Sequence, residues 1–237
     1  MPTAAAIIIG DEILSGKFDD ENGPWLVRRC RSLGIDLKRI CIISDEVDTI
    51  ADEVRRASAA HDYVFTTGGI GPTHDDLTLE GVAQAFDVKL YEHPDLAAMI
   101  RSRMGDKTNH DALRMAMVPE GSELWRTAPH RFPVLVCRNV LIFPGVPKYL
   151  QAKFDDIADR LGGEPKIYRR LTTEQTEPEI AATLREAAGL WSELSIGSYP
   201  RFETTPHTVI VTVDGRSESA LDACVTWLTE RLKTIPS

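Results

Sequence analysis

Between Thr66 and Thr78 the chain reads Thr-Thr-Gly-Gly-Ile-Gly-Pro-Thr-His-Asp-Asp-Leu-Thr, a glycine-rich stretch followed by two adjacent aspartates. Glycines let the backbone approach a ligand with no Cβ in the way, and the first N–H groups of a following helix have no partner of their own. Gly68, Gly69 and Gly71 ahead of a helix therefore suit an anion, phosphate above all. The stretch is neither of the two common phosphate loops. A Walker loop needs Gly-Lys-Ser/Thr, and no Lys or Arg occurs between Ala57 and Val88. The dinucleotide pattern fails because His74 stands where its third glycine belongs. In place of a base the loop offers Asp75 and Asp76. Carboxylates beside a phosphate repel it unless a hard cation lies between them, and Mg²⁺ is held in that way, by one or two carboxylates together with phosphate oxygens. Asp75 and Asp76 are thus the candidate metal ligands. The purely structural alternative is that Asp75 caps the next helix and Asp76 favours its dipole.

The elements that must position this loop can be read from hydrophobic periodicity. Residues 63–67 form a short apolar, β-branched run, the pattern of a buried strand, and residues 79–86 have apolar side chains at helical spacing. Upstream, residues 4–9 are continuously apolar and end at Gly10-Asp11-Glu12. A helix is expected over 22–33, stopped by Gly34, then a strand over 35–43 ending at Ser44-Asp45-Glu46, then a helix over 49–60 with Asp48 as its cap. This alternation implies a parallel sheet with helices on both faces, and ligands of such sheets bind outside the carboxyl ends of the strands. All three strand ends deposit acids at the same edge, so Glu12 and Asp45 join Asp75 and Asp76. Any one pair alone fits a solvated loop or a helix cap. Their convergence on the glycine loop is what points to a site.

Farther along, helices are expected over 94–104 and 109–117, and a hairpin over 134–136 and 140–143. The hairpin leads into Pro144-Gly145-Val146-Pro147-Lys148 and a further helix. Lys148 at a helix start is electrostatically awkward: it either faces an anion in the cleft or is simply solvated. Gly162-Gly163-Glu164-Pro165 reads as a linker, which divides the chain into domains 1–163 and 164–237. The second domain offers strands over 167–171, 196–199 and 208–213, a capping box at Thr176 and Glu179, and a last helix through Leu221, Val225, Leu228 and Leu232. Tyr199-Pro200-Arg201 reads as a turn. This small α+β unit carries no cluster of acids or glycines.

At 237 residues and 43% hydrophobic content the chain can bury a sizeable core, and a folded rather than disordered chain is expected. Its net charge of −9 and lack of a basic run argue against a nucleic-acid surface. The four cysteines are far apart with no Cys-x-x-Cys, so neither a zinc knuckle nor a disulfide framework is expected. There is no apolar stretch of membrane length and no charged leader ahead of the first strand, so no membrane partner and a cytoplasmic location are expected.

Taken together, Gly10-Asp11-Glu12-Ile13-Leu14, Asn22, Ile43-Ser44-Asp45-Glu46, the Thr66 to Thr78 stretch, Pro119-Glu120-Gly121 and the run from Phe143 to Leu150 resemble the CinA family, competence/damage-inducible protein A. They are similar also to the related N-terminal domain of eukaryotic FAD synthases, within the wider molybdopterin-binding group that includes MogA and MoeA. The resemblance covers residues 4 to about 160 closely, and the tail from Ile167 looks like the small middle domain of CinA. It implies an α/β fold, a three-layer, doubly wound and mainly parallel sheet, with a small C-terminal α+β domain. The amidohydrolase domain of full-length CinA proteins has no counterpart in this sequence, so deamidation is not carried over.

In the CinA and FAD-synthase branch the fold is associated with metal-dependent hydrolysis of dinucleotide pyrophosphates such as ADP-ribose or FAD. The resemblance then implies a divalent cofactor (Mg, Mn or Co), catalytic Asp76, Asp45 and Glu12, and metal ligands Asp75 and Asp76. Phosphate or nucleotide contacts fall to Gly68, Gly69, Gly71, Thr73, Thr78, Asn22, Gly145 and Lys148. The alternative, from the molybdenum-cofactor branch, is a molybdopterin or nucleotide binder, either non-catalytic or adenylylating, with the acids at Asp45 and Asp76 supporting adenylation. The loop and its flanks look like the first of these branches, from which His74 departs by its size. Either way the partner is a small dinucleotide or pterin ligand, and family members of this kind are usually dimers or trimers.

Overall fold

The computed structural model describes residues 1–126, 128, 131–203 and 208–235. The chain forms two compact units, Met1–Gly163 and Glu164–Ser237. In the first, β1 (Thr3–Ile9) leads through a short turn of helix, α1 (Asp11–Leu14), to α2 (Asn22–Ser32), β2 (Asp36–Ile43), α3 (Val47–Ala60), β3 (Tyr63–Thr67) and α4 (Thr78–Phe86). Then come β4 (Leu90–Glu92), α5 (Pro94–Met104), α6 (His110–Arg114), β5 (Met117–Pro119), β6 (Glu123–Trp125), β7 (Val134–Cys137), β8 (Val140–Phe143) and α7 (Pro147–Ile157). The main sheet runs β2-β1-β3-β8-β7-β6. Its first four strands are parallel, and β7 and β6 close it antiparallel. Among the described residues no helix is long and apolar enough to cross a membrane.

The strand β1 is apolar throughout because it lies inside the sheet with helices over both faces. Successive side chains alternate between the faces. Ala5, Ile7 and Ile9 enter one core, against Ile50 and Val54 of α3, Leu79 and Val82 of α4 and Ile100 of α5. Ala4 and Ala6 enter the other, with Leu26 and Cys30 of α2, Phe65, Phe143, and Leu150 and Phe154 of α7. Phe65, Phe143 and Phe154 form an aromatic cluster with ring centroids 5.2–6.3 Å apart. This is a three-layer α/β/α arrangement, and it brings the carboxyl ends of β1, β2, β3 and β8 to a single edge.

Several local expectations change. The helix α3 starts at Val47, so Asp48 sits in its first turn and accepts a hydrogen bond from Gln84 Nε2 at 2.6 Å instead of capping it. Asp75 caps nothing either: α4 begins at Thr78, with Leu77 at its N-cap and no side-chain cap bond. The helix expected over 109–117 is only His110–Arg114, and Met117 instead opens β5, opposite Glu92 of β4. The three-residue strands β4, β5 and β6 are too short for periodicity to reveal. The β7–β8 hairpin turns at Arg138 and Asn139, with Arg138 at φ 54 and its guanidinium 4.2 Å from the Phe86 ring.

The second unit contains β9 (Ile167–Thr173), α8 (Glu177–Leu190), β10 (Ser195–Arg201), β11 (Thr208–Gly215), α9 (Glu218–Arg231) and β12 (Thr234–Ile235). Its antiparallel sheet runs β10-β11-β9-β12, and Val209, Val211 and Val213 pack on Ile180 and Ala187 of α8 and Leu221, Cys224 and Leu228 of α9. Thr176 and Glu179 form the expected capping box. Residues 199–201, read as a turn, lie inside β10 instead.

Helix α4 meets α3 at Gly81. A Cβ there would lie 2.4 Å from Ile50 Cγ2 and 2.6 Å from Ile50 Cβ, atoms too near the backbone to swing away. In an exposed helix Gly→Ala stabilises, by about 1 kcal/mol. Here overpacking wins, and Gly81→Ala should destabilise the protein by roughly 1–3 kcal/mol in urea denaturation. Combining it with Ile50→Ala should cost less than the sum of the two single changes.

Candidate functional site

The glycine turn is built by close backbone packing. Gly68 has φ 103, and a Cβ on it would lie 2.1 Å from the Ile9 carbonyl oxygen, so only glycine fits. Its N–H donates to the Phe143 carbonyl at 3.2 Å. A Cβ on Gly145 would come within 3.3 Å of the Gly68 Cα, so the ends of β1, β3 and β8 meet at residue 68. Thr78 ties the turn to α4: its Oγ1 donates to the Gly68 carbonyl at 2.8 Å and its N–H to the Gly69 carbonyl at 3.0 Å. Thr78 is fully buried and serves the loop's shape.

Asn22 braces the same region from α2. Its Nδ2 donates to Thr67 Oγ1 at 2.9 Å and to the Gly145 carbonyl at 2.7 Å, while Thr67 Oγ1 donates to the Pro144 carbonyl at 3.0 Å. The Asn22 Oδ1 is buried and has no hydrogen-bond partner among the described residues. Asp20, which sequence reasoning missed, accepts from the N–H groups of Asn22 and Gly23 at 2.9 and 3.0 Å and so anchors the first turn of α2.

The acids divide by what they do. Asp76 points back into its own loop. Its Oδ1 accepts from the Gly71 N–H at 2.6 Å, and its Oδ2 accepts from the Thr73 N–H at 2.8 Å and from the Thr73 hydroxyl. Thr73 in turn is exposed, with its carbonyl accepting from Arg114 Nη1 at 3.1 Å. Asp45 faces the turn from the end of β2: its Oδ1 is 3.4 Å from where a Gly69 Cβ would stand, and its Oδ2 accepts from the Asp11 N–H at 2.8 Å. Partial burial pushes the Asp45 carboxyl up, and the charges of Glu12, Asp11 and Asp75 push it the same way, against the lowering effect of the Asp11 N–H. Glu12 folds back so that its carboxylate would meet a Cβ on Gly10 at 2.7 Å. Asp75 is exposed, 3.8 Å from His74 Nδ1. Among the described residues no three His, Cys, Asp or Glu side chains converge closely enough to hold a metal by themselves.

These groups line a cleft of about 1580 Å³ at the carboxyl edge of the sheet. Glu12, Asp45, Asp75, Asp76, Gly68, Gly69 and Gly71 line one part of it, together with Asn22, Gly145 and Lys148. Lys148, exposed in the first turn of α7, has no hydrogen-bond or ion-pair partner among the described residues. The cleft also holds Arg103, Arg131 and Lys153, which the sequence reading did not single out. Lys153 donates to the Pro133 carbonyl at 2.8 Å, and burial, with the Arg103 charge beside it, brings its ammonium down to about 8. A lysine next to Phe154 in an amphipathic helix reads as solvated. Only the tertiary fold buries it.

Residues 5–163 match the family described as "Probable molybdopterin binding domain", and residues 165–235 match the one described as "FAD synthase, middle domain". A protein of Caenorhabditis elegans named "Probable FAD synthase" is 33% identical over 97% of this chain and 50% of its own length. A protein of Archaeoglobus fulgidus is 33% identical over 95% of this chain and 96% of its own. Among solved structures, "the protein CinA with unknown function" from Thermoplasma acidophilum is 30% identical with a TM-score of 0.63, covering 68% of this chain and 98% of that one. The chain spans about half the length of the FAD synthases it matches. The glycine turn, its acids and the whole main sheet fall inside the matched span 5–163, and the chain belongs to the molybdopterin-binding-domain family, on its CinA-like side.

Proposed function

We propose that the cleft binds a nucleoside diphosphate conjugate such as ADP-ribose or FAD and hydrolyses its diphosphate with the help of Mg²⁺, Mn²⁺ or Co²⁺. The observation that carries this reading is Asp45, a half-buried carboxylate crowded by Glu12, Asp11 and Asp75 and facing the glycine turn. Negative side chains and a negative ligand can share that space only with a cation between them. The donor set is all hard oxygen, and one or two carboxylates completed by water and phosphate oxygens is the coordination Mg²⁺ favours, so the lack of a ready-made three-carboxylate cage is compatible with it. Names of relatives support a flavin or adenine dinucleotide as the substrate class.

Within this reading Asp45 and Asp75 would hold the cation, since both oxygens of Asp76 already serve the loop. A bound divalent cation supplies charge neutralisation on the diphosphate and a more acidic water. Glu12 accepts a proton from the attacking water. The free N–H groups of the glycine turn hold one phosphate, and Lys148 faces the other. Cleavage of ADP-ribose by water then gives AMP and ribose 5-phosphate, and cleavage of FAD gives AMP and FMN.

Three outcomes are expected. Purified protein should release AMP from ADP-ribose or FAD only with a divalent metal. If both substrates bind calorimetrically yet stay intact with all three metals, the chain is a non-catalytic nucleotide or pterin binder, and titration with molybdopterin identifies which.

Asp45→Asn should lower turnover by roughly 100-fold and abolish the rise in melting temperature produced by metal. Its metal-free stability at pH 7 should be unchanged or higher, because a repelled charge is gone. The raised Asp45 carboxyl also sets a sign for pH. The folded, metal-free chain keeps that proton to higher pH than the unfolded chain, so stability falls as pH rises from the ordinary carboxylate value through the raised one. Metal competes with the same proton, so metal affinity should climb over that window and level off above it.

Asp76→Ala should behave differently from Asp45→Asn. It removes the acceptor for two loop N–H groups and a hydroxyl, and should cost roughly 1–3 kcal/mol in urea denaturation without any metal present.

A further inference from the structure

The mouth of the cleft carries two aromatic rings that the fold does not use for packing. Phe18 is 67% exposed and Tyr149 60%, and neither belongs to the two hydrophobic clusters that sandwich the main sheet. Both line the cleft, and each follows a lysine that lines it too, Lys17 and Lys148. Single exposed apolar side chains are ordinary on any surface. These two differ because their backbones are pinned to the site. The Lys17 and Phe18 N–H groups donate to the Glu12 carbonyl at 2.9 and 3.2 Å, and Asp20 anchors the turn that follows through Asn22 and Gly23. Tyr149 stands in the first turn of α7, its N–H donating to the Val146 carbonyl at 3.0 Å. The two segments meet where Asn22 Nδ2 donates to the Gly145 carbonyl at 2.7 Å, four residues along the chain from either ring. Gly145 in turn comes up against Gly68. In the sheet β1 and β8 flank β3, so the segments that carry Phe18 and Tyr149 leave the strands on either side of the glycine turn.

We infer that Phe18 and Tyr149 are base-binding residues, whose rings stack on the adenine of a nucleotide with its phosphates at the glycine turn. The inference rests on the nucleotide reading given above and gives the ring end of the ligand its place. Stacking uses the face of a base, so it needs no hydrogen-bond partner at the rim and leaves the polar edge of the adenine in water. That suits an open mouth where exposed Val146 stands between the glycine turn and Tyr149. The lysines beside the rings complement phosphate oxygens. They fit poorly with a protein partner seated on the same rim, because the centre of such an interface is depleted of lysine.

The test compares two probes that cannot be hydrolysed: ADP-ribose with its bridging oxygen replaced by methylene, and methylenediphosphonate, which has no ring. Each is titrated calorimetrically into the full chain with Mg²⁺. Phe18→Ala and Tyr149→Ala should each weaken binding of the nucleotide analogue about tenfold. Affinity for methylenediphosphonate should change by no more than about twofold in either variant. Tyr149→Phe should bind as wild type does, since the ring stacks and the hydroxyl takes no part. Melting temperatures should stay at the wild-type value because both rings are exposed. Equal losses for the two probes would overturn the inference, by giving the rings a part in the shape of the phosphate site alone. Unchanged nucleotide affinity in both alanine variants would overturn it as well. If sedimentation then shows a wild-type dimer that these variants dissociate, the rim belongs to a second copy of the chain. Ring-dependent binding without any hydrolysis of ADP-ribose sinks the hydrolase reading and leaves the base site standing. If neither probe binds, both fall.

Discussion

The tightest constraint in the first unit is the approach of residue 68 to the end of β1. With a Cβ position 2.1 Å from the Ile9 carbonyl oxygen, no side chain can stand there, and the glycine lets β3 turn directly over its neighbour. The Phe143 carbonyl takes the Gly68 N–H, and Gly145 comes up against the Gly68 Cα, so β8 is drawn into the same knot. Once these three strand ends are fixed, everything attached to them is fixed as well. Glu12 follows β1, the glycine loop follows β3, and α7 with its lysines follows β8. Asp45 arrives on β2, which pairs with β1 over its whole length, and its hydrogen bond to the Asp11 N–H locks the fourth end to the first.

This packing creates an electrostatic problem and a resource at once. The charges of Glu12, Asp11 and Asp75 lie close enough to Asp45 to hinder its ionisation. Farther along the cleft lie two side chains of the opposite sign, Arg103 and Lys153, the latter donating to the Pro133 carbonyl.

Much of this was legible in the residues. Continuous apolar runs at 4–9 and 63–67 could only be strands covered on both faces, and the acids following them had to lie at one edge of a parallel sheet. The Thr66 to Thr78 stretch was specific enough to indicate the family, which the match over 5–163 then showed. What stayed hidden were relations that depend on the return of the chain. Nothing in the order Gly-Pro-Thr-His-Asp-Asp says that the second aspartate reaches back five residues to Gly71, because loop geometry, unlike helix or strand geometry, has no period. Lys153 reads as solvated from helical spacing and is buried by a segment twenty residues earlier. The strands β4, β5 and β6, at three residues each, exist because partners lie alongside them, and Asp48 lost its expected cap because α3 began two residues sooner than the polar signal suggested.

The staple made by Asp76 has a consequence for how this loop should be interrogated. A survey that scores only lost activity could not separate Asp76 from Asp45, since both line the cleft beside the glycines. One would fail because the turn no longer keeps its shape, the other because a well-shaped turn no longer tolerates its guest. Amide exchange at Gly71 and Thr73 tells these apart: protection there belongs to the architecture alone, whatever chemistry the neighbouring acids perform.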